Sequence, residues 1–70
     1  MMATEGDVIK KKNSGDLFLV TCTDYMNEGY IDAINLSDGC IPDDVFLDDL
    51  DSYINLGPIM DLINLPKEVT

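Results

Sequence analysis

Arginine, histidine and tryptophan are absent from this 70-residue sequence, and only four lysines stand against fourteen acidic residues. The formal net charge is -10. Each absence removes a class of function. Proteins that grip DNA or RNA replace condensed counterions with their own cations, and this chain has few to offer. Anionic membrane surfaces are disfavoured on the same ground. Without histidine, a serine or cysteine nucleophile lacks its usual base, and the commonest nitrogen ligand for transition metals is missing. Long apolar runs are missing too, since no stretch approaches the ~20 residues that span a bilayer.

Cysteine is scarce. Cys22 and Cys40 lie 18 positions apart. Two cysteines are too few for the disulfide framework of a small secreted domain. Without histidine they also fall short of the four ligands of a structural zinc site. Free thiols in a reducing compartment are the expectation, with a single bridge tying two strands together as the alternative. No basic start followed by an apolar run marks a secretory signal. The expected location is therefore the cytoplasm, that of a host cell if the chain is phage-encoded.

What is present is enough to fold. Hydrophobic residues make up 46 % of the chain, well above the level of a disordered segment. The length is near the lower limit at which one apolar core holds a chain folded alone, and a homodimer interface would add buried area. Residues 1–6 lack periodicity and read as a flexible tail. Residues 7–66 form a single small domain, and 67–70 read as a frayed end.

Turn chemistry organises the first half. Asn13-Ser14-Gly15-Asp16 tolerates the positive φ of a tight hairpin and separates two runs of strand composition, Val8 to Lys11 and Leu17 to Thr23. In the second run Leu17 and Leu19 point one way while Phe18, Val20 and Cys22 point the other, as in a central strand. "YIDAINL" alternates next, with Ile31 and Ala33 on one side and Tyr30, Asp32 and Ile34 on the other. Ser37-Asp38-Gly39 is a further turn signal, from which a short strand through Cys40 and Ile41 can return. The pattern "GDVIKKKNSGDLFLV" followed by "YIDAINLSDG" resembles the opening of small SH3-like barrels, which implies a bent meander around a tiny core.

After Pro42 the period changes. Within "FLDDLDSYIN" and its neighbours, Phe46, Leu47, Leu50, Tyr53 and Ile54 fall on one face of a helix. Asp43 or Asp44 would cap its start, and Gly57-Pro58 would stop it. Ile59, Leu62 and Ile63 repeat the spacing in a second short helix ended by Pro66. The expected fold is therefore α+β, a small antiparallel meander of three or four strands, SH3-like in its curl, covered by one or two short C-terminal helices. Leu17, Leu19, Ile31, Phe46, Leu50, Tyr53, Ile54, Ile59 and Ile63 are the expected core.

Six aspartates fall within the fourteen residues from Asp38 to Asp51. They lack the alternating ligands, the glycine and the closing glutamate of a calcium loop. A catalytic carboxylate pair needs burial and a pocket that so short a chain hardly provides, so no enzymatic activity, cofactor or metal is expected. A like-charge surface without interleaved lysines exceeds the charge that solubility alone requires. It accelerates association with basic surfaces and can occupy a groove made for nucleic acid. In size and charge the chain resembles small acidic phage-encoded inhibitors of host nucleases, restriction systems or polymerases. The resemblance implies a DNA-mimic module that evades host defence by binding a basic, nucleic-acid-handling host protein.

The expected contact residues are Asp38, Asp43, Asp44, Asp48, Asp49 and Asp51, with Tyr25, Met26 and Tyr30 as an apolar patch. Two other readings stay open. One is an oligomer that sequesters a nucleotide signal, with Lys10, Lys11 and Lys12 as its cations. The other is an acidic accessory domain whose charge only keeps it soluble.

Overall fold

The reversal at Asn13-Ser14-Gly15 forms as its chemistry dictates. Gly15 adopts φ 78° and its N–H donates to the Lys11 carbonyl at 2.8 Å, while the Asp16 N–H donates to Ser14 Oγ at 3.2 Å. The computed structural model describes residues 2–63 of the chain. The turn joins strands β1 (Asp7–Lys11) and β2 (Leu17–Cys22). Three more strands follow, β3 (Tyr30–Asn35), β4 (Ile41–Phe46) and β5 (Tyr53–Pro58), and then a five-residue helix, α1 (Ile59–Ile63). They form one antiparallel five-stranded sheet in the order β4-β3-β2-β1-β5. β2 is the middle strand, as its apolar residues on both faces require.

The fold is mostly β: the expected antiparallel sheet has five strands instead of three or four, and of the two expected helices only the short second one forms, as α1. The expected helix after Pro42 is replaced by β4, a 3-10 turn at Leu47–Ser52, and β5. Its apolar spacing has another physical origin. A 3-10 turn stacks residues i and i+3 on one side, so Leu47 and Leu50 both pack against the core. Tyr53 then enters β5 with its ring buried, while Phe46 and Ile54 on the flanking strands face solvent. Asp43 and Asp44 pair with Ala33 and Asp32 of β3 and cap no helix. Gly57 at φ 98° sits opposite Val8, beside the bulge between Val8 and Ile9, and ends a strand rather than a helix.

The core consists of Ile9, Phe18, Val20, Ile31, Ala33, Val45 and Tyr53, with Ala3 from the segment before β1. Phe18 and Tyr53 meet edge to face at a centroid distance of 5.7 Å. Of the expected core, Ile31 and Tyr53 are buried and Leu50 packs against them, whereas Leu17 and Leu19 lie half-buried on the opposite face of β2. Ile59 is half-buried. The burial of Ile63, the break at Pro66 and the frayed end at 67–70 lie outside the described residues. Burying one aliphatic side chain such as Ile9 or Ile31 contributes about 1.5–3 kcal/mol.

Residues 2–6, where a flexible tail is expected, are tied to the sheet through Ala3 and backbone hydrogen bonds, while Met2, Thr4 and Glu5 stay exposed. Ala3 is buried, and the Gly6 N–H donates to the Val20 carbonyl at 2.8 Å. Asp7 anchors the segment. Its Oδ2 accepts the Thr4 backbone N–H at 3.0 Å, the Thr4 hydroxyl at 3.3 Å and the Asn55 amide at 3.0 Å. The same Asn55 amide donates to the Met2 carbonyl at 2.7 Å, and Asn55 Oδ1 accepts the Gly57 N–H at 2.7 Å. The Ile59 N–H donates to the Gly6 carbonyl at 2.7 Å. These bonds tie the start of the chain to β5, 48 residues away.

The Thr4 backbone N–H and the Asn55 amide hold the Asp7 carboxyl below its ordinary value, against the opposing effect of burial. A lowered carboxyl pKa stabilises the fold above the ordinary value and loses that contribution as pH falls toward the folded value. Asn55→Ala should destabilise the domain by about 1–3 kcal/mol near neutral pH, the range for stranding buried polar partners. Asp7→Asn should lose less, and its deficit relative to wild type should shrink below pH ~3.8. Urea denaturation followed by circular dichroism at a series of pH values checks both.

Candidate functional site

Strand register decides which polar groups share a surface. In the β3–β4 pair, Tyr30 lies opposite Phe46, Asp32 opposite Asp44, and Ile34 opposite Pro42. These six occupy the face away from the core, since the alternate residues Ile31, Ala33 and Val45 are buried inside. β2 extends the rows, placing Leu19 beside Ile34 and, after a bulge, Cys22 beside Asp32. The outer face of β2, β3 and β4 thus carries an aromatic row, an acidic row and an aliphatic row.

The acidic row lines an open depression of about 480 Å³ together with Thr21, Ala33, Ile34, Pro42 and Asp43. Residues directly opposite in an antiparallel pair have Cβ atoms about 4.5–5.5 Å apart, and like charges there destabilise the sheet. The three described lysines, Lys10, Lys11 and Lys12, lie on β1 and the turn that follows it. β1 is separated from β3 by the whole of β2.

The aromatic row is continued by the segment before β3. A 3-10 turn at Met26–Glu28 ends in Gly29 at φ 97°, a left-handed conformation that other residues adopt only with strain. This reversal returns Tyr25 over Tyr30. The two rings are stacked at 5.4 Å with an interplanar angle of 3°. Phe46 meets Tyr30 at 6.4 Å and 69°. Tyr25 and Phe46 are 40 % and 55 % exposed, which marks an aromatic surface outside the core. Met26, expected beside them, is half-buried and packs against the core.

The remaining expected residues separate. Asp43 pairs with Ala33 in the alternate register of β4, yet it is exposed on this edge strand and lines the depression with Asp32 and Asp44. Asp43 and Asp49 both act on Tyr53, whose phenol is pushed up first by burial and then by these two charges. Asp48 and Asp51 are exposed on the 3-10 turn. Asp38 lies in the β3–β4 turn, beyond the Asn35–Ile41 pair, which is itself roughly 17 Å from the Tyr30–Phe46 end at strand spacing. The single acidic helix face expected from the sequence does not exist. Its members lie on the edge strand β4 and on two turns.

Phe46 and Asp32 join the site without having been singled out for it. The signal for Asp32 was present, because strand alternation already puts it on the same side as Tyr30. Phe46 was hidden by its apparent helical phase. Elsewhere, Glu5, Cys22 and Asp24 bring ligand atoms within 4.8 Å of one another, and Cys22 Sγ accepts the Asp24 N–H at 3.4 Å. Three donors without a histidine are one short of a closed zinc site. Both cysteines are free thiols. No helix among the described residues is long and apolar enough to cross a membrane.

Tyr30 reports on the electrostatics of the face. Partial burial raises its phenol pKa above 10.0, and the charges of Glu28, Asp32 and Asp44 raise it further. Asp32→Asn with Asp44→Asn should therefore bring the Tyr30 pKa down, read by ultraviolet titration against a Tyr30→Phe control. The same double variant should raise the urea midpoint, because it removes a directly opposed like-charge pair. In comparisons with known proteins, no family model, curated protein or solved structure matches the chain.

Proposed function

We propose that the chain is a protein-binding module that presents the outer face of β2, β3 and β4 to a basic partner. The carrying observation is the position of Asp32. Carboxylates on β4 have a bland explanation, since charge on an edge strand discourages edge-to-edge aggregation. Asp32 has none of that kind. It sits on β3, inside the sheet, directly opposite Asp44 and beside an exposed aromatic row. A fold under selection for stability alone would place a neutral or basic group there.

The net charge of -10 supports the choice of partner. It steers encounters with basic surfaces and opposes face-to-face self-association. The depression is lined by Asp32, Asp43 and Asp44, an arrangement that repels the phosphates of a nucleotide signal. The partner we infer is a nucleic-acid-handling host protein, whose basic groove the module occupies as a phage-type inhibitor. At the level of fold, the strand order β4-β3-β2-β1-β5 with a 3-10 turn leading into β5 supports an SH3-like barrel.

Affinity capture from a bacterial lysate, read by mass spectrometry at low and high salt, tests the proposed role. Wild type should retain a basic nucleic-acid-handling protein at low salt and release it at high salt. Asp32→Asn with Asp44→Asn should retain several-fold less of it. Asp48→Asn with Asp51→Asn removes the same charge from the 3-10 turn and should lose less. Equal capture by all three proteins would overturn the assignment of the face.

A further inference from the structure

We propose that the rings of Tyr25, Tyr30 and Phe46, with the carboxylates of Asp32 and Asp44, receive the guanidinium of one arginine from the partner. The proposal rests on the basic-partner role of this face and names the contact that makes it specific. Two of the three rings are among the exposed large hydrophobics of the chain, yet the three are ordered against one another. Tyr25 and Tyr30 are parallel, and Phe46 is inclined to Tyr30 at 69°. Their π-faces carry partial negative charge and attract a cation within about 6 Å of the ring centre.

The carboxylates stand one row along the same face. Asp32 follows Tyr30 and Asp44 precedes Phe46 by two residues on their strands, a displacement of roughly 7 Å. A long cationic side chain lying over the rings therefore ends among acceptors.

Arginine fits this arrangement better than lysine. Its planar head stacks on aromatic faces and presents a rigid fork of donors to carboxylates, whereas an ammonium is a compact, strongly hydrated point charge. The two opposed carboxylates, with Cβ atoms about 4.5–5.5 Å apart, can share the donors of one fork.

The chain cannot supply this group itself. None of its 70 residues is arginine, so neither this chain nor a second copy of it offers a guanidinium to the site. A purely apolar partner is opposed by Glu28, Asp32 and Asp44 around the rings, whose charges already act on the Tyr30 phenol. Truncating a ring should remove the preference for arginine while leaving the long-range attraction of the net charge in place.

The test compares octa-arginine with octa-lysine, two peptides of equal charge, titrated into the isotope-labelled chain and followed by nuclear magnetic resonance. The expected result is about tenfold tighter binding of octa-arginine. The largest shifts should fall at Tyr25, Tyr30, Asp32, Asp44 and Phe46. Tyr25→Leu and Phe46→Leu, both at exposed positions, should each bring octa-arginine close to the octa-lysine value with the fold intact. Equal affinity for the two peptides, with shifts spread over all acidic residues, would overturn the arginine site and leave the basic-partner role standing. Failure of both peptides to bind at low salt would overturn both.

Discussion

The domain depends on the pairing of β1 with β5. Four strands of a meander make an open ribbon, and only the return of residues 53–58 to Asp7–Lys11 covers the far side of the core. Tyr53 reaches Phe18 through that return, and Leu47 and Leu50 are drawn in by the turn that precedes it. The pairing joins the two ends of the described chain, so it carries a large loop-closure entropy that contacts must offset. Asn55 is where they converge. Its amide is shared between the Asp7 carboxylate and the Met2 carbonyl, and its own oxygen holds Gly57 at the end of the strand.

That clasp is separate from the proposed binding face. Asp7, the one buried charged group among the described residues, has its oxygen satisfied by three donors. It works as a structural carboxylate. Asp32 and Asp44 lie across the sheet from it, on strands whose pairing does not close the fold. The electrostatic conflict on β3 and β4 is thus kept away from the contacts that hold the ends together. A domain this small tolerates the conflict because the site and the clasp share no residue.

The sequence announced the first three strands because their signals are local. Asn13-Ser14-Gly15 and Ser37-Asp38-Gly39 reverse the chain through residues that accept positive φ, and Ile31 and Ala33 alternate as a half-buried strand should. The region after Pro42 misled for a reason visible in Leu47 and Leu50. Three-residue spacing in a 3-10 turn, flanked by two strands whose ends are apolar, imitates helical periodicity from Phe46 to Ile54. No local signal separates the two, because what selects β5 is its partner β1 more than forty residues earlier. The site inherits the same limit. Tyr25, Tyr30 and Asp44 could be picked out singly as aromatic or acidic, but their association with Phe46 and Asp32 exists only through the β3–β4 register.

A sheet register has a period of two, so moving β4 by a single residue against β3 would place Asp44 and Phe46 on the core side and Val45 outside. Val45 is 2 % exposed in the observed register and packs with Ile31. The hydrophobic effect at that one position therefore fixes the juxtaposition of Asp32 with Asp44 and of Tyr30 with Phe46. Like-charge repulsion between the two aspartates is worth a fraction of a kcal/mol in water-facing positions. Burial of a valine side chain is worth about 1.5–3 kcal/mol. Burial outweighs repulsion, and the proposed binding face is assembled as a consequence of the core.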